Sequence, residues 1–170
     1  RPSFLCNPFK NRQLQQWYET QKQTVLSSDP IQFRRIFCEL HLFKHLFETG
    51  FGMRQLLDYY ILYKQQPEQQ SLPPFLSQRF HDALNQLVIY LFESDPDTPR
   101  SMECEFLLQE VLLGGNFGQY DPRFKRTSSS TAFAWEKLKH NFRLLLHYPS
   151  EVCWEPLFRL YHWYWRQKNA

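Results

Sequence analysis

Proline and glycine cut this chain into pieces of helical length, and within each piece apolar residues recur three and four apart instead of alternating. The stops are Asp29-Pro30, Gly50, Pro67, Pro73-Pro74, Gly114-Gly115 and Pro149. A chain punctuated this way has room for helices and little else. The spacing predicts helices from about Asn11 to Val25, from Pro30 to Glu48, from near Gly52 to Gln66, from Leu76 to Phe92, from Ser101 to Leu113, from Ala132 to His147 and from Ser150 to Gln167. Asp29 and Ser101 carry side chains suited to N-capping, and Gly50 suits a C-terminal cap. The expected fold is therefore all-α, about seven helices in an irregular orthogonal bundle.

At 170 residues the chain is one domain by length, and 18% aromatic content supplies ample surface to bury. The opening RPSFLCNPFK is broken by prolines, so residues 1–10 read as an extended linker or strand exit from an upstream domain, with the helical domain spanning 11–170. Cys6, Cys38, Cys104 and Cys153 are far apart and flanked by apolar residues, which favours free thiols in a reduced, cytoplasmic setting over a disulfide framework. No apolar run approaches the ~20 residues a span needs, so a membrane is not an expected partner. A formal charge of +3 is too small to argue for nucleic acid by itself.

Polar chemistry concentrates between His41 and Tyr60, HLFKHLFETGFGMRQLLDYY. Projected at helical spacing, Phe33, Ile36, Phe37, Leu40, Phe43 and Phe47 form one apolar face, and Ile31, Leu42 and Leu46 a second. Between them runs a stripe of Arg34, Cys38, His41, His45 and Glu48. Its two histidines can be satisfied core residues, ligands sharing a metal ion, or the lining of a cleft that meets substrate or phosphate. After the glycine turn, Arg54 and Asp58 stand one helical turn apart and can pair, or Arg54 can hold an anion that Asp58 helps to orient.

Other candidates are weaker. The run GGNFGQYD, Gly114 to Asp121, allows close backbone approach but lacks the G-K-[ST] of a Walker loop and the spacing of a dinucleotide fingerprint. Glu103, Glu105 and Glu110 read as a solvated face. The Trp and Tyr residues between 154 and 165 suit core or partner packing.

Taken in order, HLFKH, GFGMRQLLDYY and LLQEVLLGGNFGQYD resemble segments of the bacterial family of uncharacterised nucleotidyltransferases, distant relatives of the polymerase-beta-type superfamily. The opening RPSFLCNPFKNRQLQQW resembles the point where such proteins leave their catalytic sheet, and the likeness spans essentially the whole chain. Lys44 stands where Arg is common and Met53 where Leu is common. The superfamily's G-S and D-x-D catalytic motifs are missing; the D-x-D formed by Asp95 and Asp97 encloses Pro96 and is followed by Pro99, in a loop after a helix.

The resemblance implies the helical, substrate-positioning part of a nucleotidyltransferase, inactive alone. By that likeness His41, His45, Arg54, Asp58, Asn116 and Asp121 line the nucleotide and acceptor cleft. An upstream catalytic domain would be the partner, a nucleoside triphosphate and an acceptor the substrates, and Mg²⁺ would come only with that domain. Nucleic acid is not an expected partner. The rivals are a helical protein-interaction module and, further behind, a metal-dependent hydrolase using His41 and His45.

Overall fold

The computed structural model describes residues 5–24, 30–48, 50–65, 72–93, 100–114 and 130–169. The fold is all-α, with no strand among the described residues. In chain order the helices are α1 (Pro8–Thr24), α2 (Pro30–Glu48), α3 (Met53–Gln65), α4 (Gln78–Phe92), α5 (Met102–Gly114), α6 (Ser130–His147), α7 (Pro149–Val152) and α8 (Glu155–Asn169). Seven are full-length, and α7 is a single turn.

The expected starts of α4 and α6 are off by two residues, and two larger departures have local reasons. Helix α1 begins at Pro8, not Asn11, because Asn7 caps it: the Asn7 Oδ1 accepts from the amides of Phe9 at 3.0 Å and Lys10 at 3.3 Å. Proline at the first helical position lacks only an amide that would go unused there. Nor does the chain just ahead of this cap hang free, since Leu5, two residues before Asn7, is buried. The last expected helix is in turn broken into α7 and α8 at Cys153–Trp154. Pro156 has no amide to give the carbonyl of Val152, and its ring crowds that carbonyl, so one continuous helix cannot pass through.

Ser101 and Gly50 act as read, whereas Pro67 and Gly115 lie outside the described residues. Ser101 Oγ accepts from the Cys104 amide at 3.2 Å, and Ser77 Oγ from Phe80 at 3.4 Å. Gly50 takes φ 76°, and its amide closes α2 on the carbonyl of His45 at 2.7 Å. Asp29 lies outside the described residues. Across the turn, Gln55 reaches back to accept from the Gly52 amide at 2.8 Å, which fixes the entry into α3.

Helix α4 is the centre of the bundle, burying Phe80, Ala83, Leu84, Leu87 and Val88 along one side. It packs on α3 and α5, and α3 packs on α2. Phe43 of α2 meets Phe80 at 4.8 Å and Tyr148 at 5.4 Å between ring centres, tying the α6–α7 corner to the core. Two buried polar groups dock the outer elements. The Nε2 of His140 in α6 donates to the carbonyl of Leu46 at 3.1 Å, satisfying a carbonyl that the end of α2 leaves without a helical partner. The carboxylate of Glu151 in α7 accepts from the amides of Cys6 and Asn7 and lies 3.6 Å from Lys10, pinning the start of α1. All four cysteines are free thiols; Cys104 is buried, Cys6 and Cys38 half-buried and Cys153 exposed.

Candidate functional site

Helices α2 and α3 form a hairpin across the Gly50–Gly52 turn. Ile36, Leu40, Leu42, Phe43, Leu46 and Phe47 all point into the core, as the two apolar faces of α2 require. The stripe between them does not. Arg34, His41 and Glu48 are exposed, and Cys38 and His45 half-buried. A groove of about 350 Å³, open to solvent, runs beside it, lined by Phe33, Arg34, Phe37, Cys38 and His41. The core-histidine role belongs instead to His81 and His140, which are buried and bonded.

His41 and His45 touch. Their Nε2 atoms are 3.1 Å apart and the rings stand nearly perpendicular, 4.4 Å between centres. A hydrogen bond of this kind needs one nitrogen to donate and the other to accept, so it cannot form with both rings charged. Burial holds the His45 imidazole below its ordinary range, and the neighbouring His41 pushes it the same way against the pull of Glu48. Glu48 itself is 3.8 Å from Lys44, one turn back, an exposed pair contributing about 0.3–0.5 kcal/mol.

From the opposite helix, Asp58 bears on the stripe through Cys38. Burial pushes the Cys38 thiol up to about 12, and the carboxylates of Asp58 and Glu39 add to the effect. A thiol so held is protonated and a poor nucleophile at neutral pH. Arg54, one turn nearer the glycine turn, is exposed like Asp58, and no ion pair joins the two. The aromatic-walled groove thus carries one imidazole and one guanidinium, of His41 and Arg34, with His45 bonded to His41 behind it; Arg54 and Asp58 stand exposed on α3 and are not among its lining residues. The groove is equipped to hold a polar or anionic group, and it carries no activated nucleophile. No group of three or more His, Cys, Asp and Glu suited to a metal ion occurs among the described residues. Asn116, Asp121, Asp95 and Asp97 lie outside the described residues.

Behind the stripe is a polar cluster that the periodicity does not announce. Arg35 and Glu39 of α2, Tyr59 of α3, and His81 and Asn85 of α4 form one hydrogen-bonded chain. The Nδ1 of His81 donates to Glu39 at 2.9 Å, and its Nε2 accepts from the Asn85 amide at 2.8 Å. The Asn85 carbonyl accepts from the Tyr59 hydroxyl at 2.8 Å and from Arg35 at 3.3 Å. The Arg35 guanidinium also lies over the ring of Tyr63, 5.1 Å from its centre. With both ring nitrogens engaged and the side chain buried, His81 is not placed to act on a ligand. The cluster fixes how α2, α3 and α4 lie, and so sets the spacing of Cys38, beside Glu39, from Asp58, beside Tyr59. The available signal was spacing: Arg35 and Glu39, like His81 and Asn85, stand four apart on one helix face.

Comparison with protein-family models, curated proteins and solved structures gave no match for this chain.

Proposed function

We propose that this chain is the helical, substrate-positioning part of a nucleotidyltransferase, with the α2–α3 corner lining the nucleotide and acceptor cleft. The observation that carries this reading is the placement of the His41–His45 pair. Two mutually bonded imidazoles stand at the surface beside a groove, where a core role would have buried them. Arg34 in the groove wall supplies charge that phosphate requires, and on this reading Arg54, exposed near the glycine turn, supplies more from the other end of the hairpin. The metal-holding carboxylates, with their Mg²⁺, would come from a separate catalytic domain, and nucleoside triphosphates as substrates suit a cytoplasmic protein. On this reading the corner binds and orients, while bond making belongs to the partner.

Calorimetry tests it directly. ATP or CTP with Mg²⁺ is titrated into the intact chain, into Arg54→Ala and into His41→Ala. Losing a charged hydrogen bond to phosphate weakens binding about tenfold or more. Equal affinity in all three proteins, or no binding to any, would sink the reading.

A further inference from the structure

The chain's net charge sits at one end of it. Residues 130–170 hold six of the twenty Lys and Arg but three of the seventeen Asp and Glu, which accounts for the whole +3. Two of those three acids, Glu151 and Glu155, are buried. Glu151 is held by the start of α1, and Glu155 by Asn141 and Arg159. Lys139, Arg143, Arg159 and Lys168 are exposed there; Arg159 is paired with Glu155 and Arg143 lies 4.0 Å from Glu110, which leaves an excess of positive charge on the solvent side.

The same region turns large apolar side chains outward. Leu138, Phe142 and Leu146 follow one another by single turns along α6, and Leu157, Leu160 and Tyr164 hold i, i+3 and i+7 on α8 with Trp163 beside them. All are between 55% and 75% exposed. Helix α8 is nearly as amphipathic as α4, yet α4 buries its apolar side and α8 presents it.

We infer that α6 and α8 form a surface that docks on an anionic lipid membrane, α8 lying in the headgroup region with its apolar side toward the acyl chains. The inference concerns a different face from the α2–α3 corner and does not depend on the proposed function. It departs from the expectation of no membrane partner, which rested on the lack of a span. No helix among the described residues is long and apolar enough to cross a bilayer, and a helix lying on the surface need not be.

Charge decides against a second copy, because an isologous contact would press two basic faces together. Side-chain type decides against nucleic acid: Leu138, Leu146, Leu157 and Leu160 offer nothing to phosphates or base edges. An acidic protein groove is the nearer rival. It would take one helix by its ridge, whereas here the apolar side chains lie on two helices joined through Asn141 and Glu155. A lipid surface needs no matching shape, and Trp and Tyr favour the boundary between headgroups and acyl chains.

The test is co-sedimentation of the intact chain with vesicles of phosphatidylcholine alone or mixed with phosphatidylglycerol. The expected result is partitioning onto the anionic vesicles about tenfold or more above the neutral ones, weakened by added salt. The double variant Leu160→Asp/Tyr164→Asp should lose it while keeping its helical circular dichroism, since both side chains are exposed. Lys139→Glu/Lys168→Glu should lose the preference for anionic lipid. Four results would each overturn the proposal: no preference for anionic vesicles, undiminished binding by the Asp variant, a dimer in sedimentation equilibrium, or tighter binding to polyglutamate or single-stranded RNA than to the vesicles.

Discussion

His45 carries a pH signature that follows from its surroundings. Burial and the neighbouring His41 lower its proton affinity from the ordinary 6.5. Below that value the unfolded chain binds a proton that the folded chain resists. Stability attached to this group is therefore full above 6.5 and is lost as pH falls through the folded value. Imidazole titration by NMR should place His45 below the ordinary 6.5. In His41→Ala the value should rise only partway, because burial, the larger cause, remains. A His45 that titrates unchanged in that variant would contradict the contact. At the buried cluster, Asn85→Ala leaves Tyr59, Arg35 and His81 short of a partner at once, and urea denaturation should show a loss of about 2–3 kcal/mol. The exposed stripe was legible from the sequence because its spacing is local. The cluster was not: Arg35 and Glu39 look like ordinary surface charges until α3 and α4 supply their partners from residues 24 to 50 positions away.

Among elements, the stops made α2, α3, α4 and α5 readable nearly to the residue, since Pro30, Gly50 and Ser101 act through their own backbone chemistry. Where the reading slipped, a residue with two meanings was involved. Pro8 reads as a breaker in the sequence but, after Asn7, is a helix starter. Pro156, set among apolar residues at helical spacing, gives no outward sign of a stop, yet it divides α7 from α8. These ends are testable one at a time. Asn7→Ala should cost about 1 kcal/mol, the usual worth of an N-cap. Gly50→Ala, which forces a Cβ into a left-handed turn, should cost about 1–2 kcal/mol. Both are measurable by chemical denaturation, and equal stability of Gly50→Ala with the parent would mean that the turn relaxes to another conformation.

Across the whole molecule, burial is uneven. The α2–α5 layer holds most of the apolar core, while α8 keeps Leu157, Leu160, Trp163 and Tyr164 in solvent. Hydrogen exchange should follow this division, with α4 amides opening only on global unfolding and α8 amides exchanging by local opening at much lower cost. Comparable protection in both helices would show that α8 is held by more than its contacts reveal. The all-helical class was legible from periodicity alone. Which helices would share a core was not, because α2, α4 and α8 are all amphipathic and sequence does not say which apolar side finds a partner.

The four thiols also give the molecule a built-in attachment point. Burial raises the sulfhydryls of Cys6 and Cys38 to about 12 and shifts Cys104 the same way, while Cys153 stands exposed at the break between α7 and α8. A maleimide dye at neutral pH should therefore couple to one position in the native protein and to several after denaturation, a stoichiometry that mass spectrometry reads directly. That one position lies beside the helix carrying the exposed tryptophan and tyrosine. A fluorophore there would report what approaches α8 without any engineered cysteine.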